Sequence, residues 1–191
     1  MKSSTKSDKI VLDTNIIISS IICKKGDPAT LFEKLINEEI ENYTSKEIIE
    51  ELIEVLNRNE IIKKTKKETR TFILEQYLIH SQIIVPKIKH RIIEHESDNK
   101  FIDVAKEANA KYIISGDKHL LEIKEFEKIK IIRAKEYLKK LLWIQTNQQK
   151  QKNNRSAILR GGINFLKPPI FTQFINSKIY LGWWVQKILS A

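Results

Sequence analysis

Four acidic residues stand where their chemistry has an effect beyond solubility. The apolar run Lys9-Ile10-Val11-Leu12 stops at Asp13-Thr14-Asn15, and Tyr112-Ile113-Ile114-Ser115 stops at Gly116-Asp117. Between them, Glu51 falls inside a helical pattern and Asp98 opens another. In an open α/β sheet, ligands bind in the crevice outside the carboxyl ends of the strands. Acids delivered there from distant parts of the chain would meet at one spot. Carboxylates brought together repel unless one is protonated or a cation bridges them. Such a group suits a divalent metal bound through oxygen, and with it chemistry on a phosphate ester.

The elements that would position these acids alternate in type. Strands are expected at 9–12, 42–44, 82–85, 112–115 and 130–132, and helices at 29–37, 46–56, 60–66, 68–79, 99–108, 118–121 and 135–142. Asp27 and Pro28 supply an N-cap and a first helical residue, Ser45 is placed to cap the helix from 46, and Pro86 ends the third strand. Strands alternating with helices imply a parallel sheet with helices on both faces.

Each acid also has an ordinary structural account. Asp13 and Asp117 suit turns or helix N-caps, and Asp98 suits an N-cap. The short polar neighbours Thr14 and Asn15 favour a site at Asp13. On the helix from 46 to 56, at about 100° per residue, Ile48, Ile49, Leu52, Ile53, Val55 and Leu56 form one arc. Glu47, Glu50 and Glu54 gather opposite as a solvated face. Glu51 lies at the edge of the apolar arc beside Val55, and a partly buried carboxylate requires a partner. On the helix from 99, Asp98 shares the arc of Phe101, Ile102, Val104, Ala105 and Ala108, whereas Asp103 is expected to point away. His119 is expected on the solvent side, and His80, His90 and His95 lack metal-ligand spacing. A chain with one Cys has no zinc pattern, and no phosphate-cradling glycine loop occurs.

The 191 residues suffice for one domain and a short extension. The net charge of +10 is unevenly spread: residues 1–142 carry 27 Lys+Arg against 24 Asp+Glu, and residues 143–191 carry 7 basic and no acidic side chains. The single Cys23 excludes an intramolecular disulfide and fits a reducing, cytoplasmic setting. No run reaches the roughly 18–20 apolar residues of a membrane span. Residues 145–154 are rich in Gln, Asn and Lys and read as a linker. Residues 158–189 turn apolar again, and Trp143, Trp183 and Trp184 all lie past the body. That extension, residues 143–191, is free to dock on the body, bind a partner or touch a membrane surface.

Four short motifs together carry a family resemblance. Val11-Leu12-Asp13-Thr14-Asn15, Ser45 through Leu52, Asp98-Asn99-Lys100-Phe101 with Ala105, and Ser115-Gly116-Asp117-Lys118-His119-Leu120-Leu121 resemble the PIN-domain family. They are most similar to its VapC-like branch, toxin ribonucleases of toxin–antitoxin pairs. The resemblance spans residues 9–142, a PIN-like nuclease domain 1–142, and implies a three-layer α/β/α sandwich on a parallel sheet. It implies metal ligands at Asp13, Glu51, Asp98 and Asp117, with Thr14, Asn15 and Ser115 supporting them, and Mg²⁺ or Mn²⁺ as the ion. Many relatives carry an Asp two residues past the last acid, where this chain has His119, and more Asp in the segment occupied by His95-Glu96-Ser97.

The activity so implied is hydrolysis of an RNA phosphodiester by a metal-dependent endoribonuclease, with an antitoxin protein as partner and a possible homodimer. Lys24 and Lys25, and the run Lys63, Lys64, Lys66, Lys67 and Arg70, are candidate RNA contacts; a solvated helix face explains that run equally well. The alternative is a catalytically inactive PIN-like module that binds RNA or protein. A phosphatase with an aspartate nucleophile would require a second Asp where Asn15 stands.

Overall fold

The computed structural model describes residues 8–23, 25–88 and 98–159. Lys24, His90, His95, Glu96, Ser97 and residues 160–191, with Trp183 and Trp184, lie outside the described residues. The chain divides into two compact units, Met1–Tyr137 and Leu138–Ala191.

The first unit is built on six strands: β1 (Lys9–Leu12), β2 (Glu41–Thr44), β3 (Ser81–Ile83), β4 (Tyr112–Ile114), β5 (Glu125–Phe126) and β6 (Ile129–Ile132). Their order is β3-β2-β1-β4-β6-β5, parallel throughout except that β5 pairs antiparallel with β6. The helices are α1 (Thr14–Ile22), α2 (Asp27–Ile36), α3 (Lys46–Leu56), α4 (Asn59–Lys64), α5 (Lys67–His80), α6 (Asn99–Ala108), α7 (Lys118–Ile123) and α8 (Ala134–Leu159). The fold is α/β, a sheet flanked by helices as the alternation implies. The chain leaves β1 for β2 on one side and later returns to β4 on the other. The carboxyl ends of β1 and β4 therefore flank the switch point, where open α/β sheets place ligands.

The central strands are buried on both faces, so they read as apolar runs rather than alternating ones. Ile10, Val11, Leu12, Ile113 and Ile114 are wholly buried. α6 packs across β1, β2 and β4, pressing Phe101, Ile102, Val104 and Ala105 onto Val11 and Ile113. α1, α2 and α5 pack on one another. The fully buried Asn42 ties three strands together: its Oδ1 accepts from Leu12 N at 3.0 Å, and its Nδ2 donates to Ser81 Oγ at 2.8 Å.

Several sequence expectations change. The apolar residues after Asp13 form α1, a helix that none of the sequence expectations includes. β5 was also missed, being two residues long and defined only by its partner. β3 ends at Ile83 rather than continuing to 85, and α8 runs on to Leu159 through the stretch expected as a linker. Residues 134–159 contain no Gly or Pro, and Gln, Lys and Arg are good helix formers. Asp103, expected to point outward, is buried at 7 % exposure. The segment after β3 crosses that side of α6: Lys87 N donates to Glu107 Oε2 at 3.2 Å, and Ile88 helps line a cavity with Asp103, Lys106, Glu107 and Asn109.

Candidate functional site

Asp13 directly follows β1, whose last three residues are wholly buried. Its backbone N–H extends the β1–β4 ladder to Ile114 O at 3.0 Å, while its extended conformation lets it cap α1, Oδ1 accepting from Asn15 N at 3.1 Å. The N-cap account is thus correct, and it is not the whole account. The other oxygen, Oδ2, accepts from Ser115 Oγ at 2.5 Å. Ser115 Oγ in turn accepts from Asp117 N at 2.8 Å. One hydroxyl therefore fixes the acid after β1 against the turn that carries the acid after β4.

Asp117 repeats the local arrangement of Asp13. It caps α7 through Oδ1, which accepts from His119 N at 2.7 Å. Strand, acid and helix follow directly in both places, because a short carboxylate two residues before a free helical N–H satisfies it. His119 is exposed, as expected.

Glu51 arrives from α3, half-buried at the border of the apolar arc as its position predicts. Thr14 Oγ1 donates to Glu51 Oε2 at 2.6 Å, and Lys100 Nζ approaches the same oxygen to 3.1 Å. Thr14 follows Asp13 directly, so the two hydroxyls, Thr14 and Ser115, link the three acids. Tyr77, wholly buried, donates to Thr44 Oγ1 at 2.9 Å behind this arrangement. Asp98 stands at the start of α6, half-buried and in α conformation, without a side-chain capping bond.

Burial dominates the electrostatics. At 3 % exposure, the Asp13 carboxyl is raised to about 6, with desolvation the largest of the causes that sum to this. Within that value the Ser115 and Asn15 hydrogen bonds pull down, and the charges of Glu51 and Asp117 push up. A carboxylate held so far above its usual range, with two other carboxylates acting on it, is an electron-rich site short of positive charge.

The donor atoms are all hard oxygens, of the kind Mg²⁺ and Mn²⁺ take. Yet among the described residues no three His, Cys, Asp or Glu side chains form a group that could hold a metal ion as they stand. Glu51 is engaged with Thr14 and Lys100, and Asp117 Oδ1 with its own helix. The donor set fits a divalent ion in chemistry, with Asp13 at its centre, and is not a closed cage.

The PIN domain model matches residues 9–119, from β1 into α7, a span that holds all four acids. The chain belongs to the PIN domain family. This PIN domain is 36 % identical over 121 residues to the uncharacterized protein MJ1680 of Methanocaldococcus jannaschii, covering 63 % of this chain and 77 % of the relative. It is also similar, at 19 % identity and a TM-score of 0.46, to a chain in the crystal structure of VapBC2 from Rickettsia felis bound to a DNA fragment from their promoter; that match covers 64 % of this chain and 96 % of the other.

Lys100 carries no role in the sequence reading. Its signal was present: it precedes the inward Val104 by four residues and Ala108 by eight, which puts it on the buried stripe of α6. Arg70, named among the candidate RNA contacts, donates from Nη1 to Thr65 O at 3.0 Å. No described helix is long and apolar enough to cross a membrane.

Proposed function

We propose that this PIN domain is a divalent-metal-dependent endoribonuclease that hydrolyses phosphodiester bonds in single-stranded or structured RNA, and that it serves as the toxin of a toxin–antitoxin pair. The observation that carries the nuclease reading is the buried Asp13 carboxylate at the β1–β4 switch point, joined through Ser115 to the Asp117 turn and flanked through Thr14 by Glu51. RNA as substrate, an antitoxin partner and a possible homodimer rest on the motif resemblance, and a cytoplasmic location on the single Cys23.

Asp13 and Asp98 would hold Mg²⁺ or Mn²⁺, with Glu51 and Asp117 completing the shell directly or through water. When bound, the ion supplies a water of lowered pKa and stabilises charge developing on the phosphate. The protein's own contribution is positional. Ser115 and Asn15 each engage one oxygen of Asp13, so the carboxylate keeps one orientation as the ion comes and goes. Thr14 does the same for Glu51. Lys25, Lys63, Lys64, Lys66 and Lys67 are exposed and available to RNA phosphates, whose contacts make binding strongly salt-dependent.

An end-labelled RNA incubated with the protein and Mn²⁺ should be cut internally, and EDTA should stop the reaction. Asp13→Asn should lower the rate at least 10³-fold, in line with loss of a group central to charge stabilisation. Undiminished cutting by that variant would remove Asp13 from the chemistry. A second reading, an inactive module that binds RNA or protein, is favoured by the absence of a ready-made three-acid group among the described residues. RNA binding without cleavage at any metal concentration would decide for it.

A further inference from the structure

The seven basic side chains of residues 143–191, a segment without a single acid, have no part in the site at the strand ends. Helix α8 carries the first of them, and through residues 145–156 it contains no apolar and no acidic residue. Such a stretch has no apolar stripe to bury and no Glu–Lys pairs to support it. Counterions or an anionic partner therefore balance its cations. Just before it, Trp143 is 68 % exposed and Leu142 58 %, although tryptophan is normally a highly buried residue. Lys139 and Lys150 are exposed as well. At about 100° per residue, Lys139, Trp143 and Lys150 fall within about 40° of one another on one face of the helix. Along its axis the tryptophan position is about 6 Å from the first lysine position and about 10 Å from the second.

An exposed aromatic ring between two cations suits a single-stranded nucleic acid, which sets phosphates on the lysines and stacks a base on the ring. A polyanion also supplies the charge that residues 143–191 lack. An anionic membrane would supply it too, but the polar run of residues 145–156 offers no continuous apolar face to insert. We propose that the Lys139–Trp143–Lys150 face of α8 is a binding surface for single-stranded RNA, separate in sequence from the four acids. The inference rests on RNA as the substrate of the PIN domain and goes beyond it, since it gives the chain a second hold on that RNA.

Binding of oligouridylate to the full chain in EDTA, which withholds the metal, tests it. In a Trp183→Phe, Trp184→Phe background Trp143 is the sole indole, and the oligonucleotide should quench its fluorescence. Trp143→Ala should weaken binding roughly tenfold, and Trp143→Phe, which keeps a ring, should restore most of it. Lys139→Gln together with Lys150→Gln should lower the slope of log K against log salt by about 1.4, two phosphate contacts at about 0.7 each. These positions are exposed, so unchanged melting temperatures serve as the control for folding. An unquenched Trp143 while the RNA binds, or an affinity and salt slope that the variants leave unchanged, would overturn the proposal. A response to vesicles of phosphatidylcholine and phosphatidylserine, with none to oligouridylate, would overturn it too and give the face to a membrane. Internal cutting of RNA in Mn²⁺ beside a silent Trp143 would sink this surface alone. Neither cutting nor binding would be the failure of the RNA reading, and the surface would fall with it.

Discussion

Replacing Asp13 with asparagine should make the metal-free protein more stable at neutral pH. The usual expectation is the reverse, since losing an N-cap costs about 1 kcal/mol. Asparagine keeps that cap, however, because its amide oxygen accepts from Asn15 N as the carboxylate does. What it removes is a buried charge. The Asp13 carboxyl stands at about 6 in the folded chain against 3.8 for a free side chain, a difference worth about 3 kcal/mol. Below pH 4 both states carry the proton and the residue is neutral to stability. Between pH 4 and 6 the unfolded chain releases it first, so stability falls as pH rises. Above pH 6 the full penalty is in force. The variant is charged about 1 kcal/mol against this, because its amide N–H₂ now faces Ser115 Oγ, which must turn its hydrogen away. The net gain is about 1–2 kcal/mol, or roughly 5 °C in melting temperature. Thermal melts from pH 4 to 8 with EDTA should show the wild type losing stability across that window relative to Asp13→Asn. With millimolar Mn²⁺ the wild type should rise, since the folded state alone holds the ion, and the variant should not. An Asp13→Asn variant less stable than wild type at pH 7.5, with parallel pH profiles, would refute the idea that Asp13 is an undercompensated charge.

Other perturbations separate the supporting groups. Ser115→Ala removes the donor that pulls the Asp13 carboxyl down, so in EDTA the loss of stability with rising pH should extend beyond pH 6, and in metal the rate should fall roughly 10–100-fold; an unextended window would deny Ser115 that part. Tyr77→Phe deletes the bond to Thr44 Oγ1 and should cost about 1 kcal/mol in denaturant melts, leaving the pH profile unchanged. Phe101→Ala empties a fully buried position under the site and should cost about 3–5 kcal/mol, a loss that chemical denaturation would show as a lower midpoint.

Much of this was written in the sequence, for identifiable reasons. β1 and β4 are buried on both faces, so their apolar runs and the acids that end them are visible without any partner. Glu51 could be placed by helical phase, since α3 has one apolar arc and a separate acidic face. Other features depend on what packs where. Asp103 looks solvent-facing on its own helix and is buried because the chain near Ile88 crosses over it. Lys100 lies on the inward stripe of α6, but only the arrival of Glu51 from α3 gives it a partner. The polar Gln and Asn of α8 suggest a linker, but they weigh less than the lack of any Gly or Pro to stop the helix. β5 exists through its pairing with β6 and has no signature of its own.

The central claim is that acids from the ends of β1 and β4 share one cation. Crystals soaked in Mn²⁺ and measured for anomalous scattering address it directly. The account predicts a peak in contact with Asp13 and on the Asp117 side of the pocket. A well-occupied peak elsewhere on the molecule, or none at saturating Mn²⁺, would contradict it.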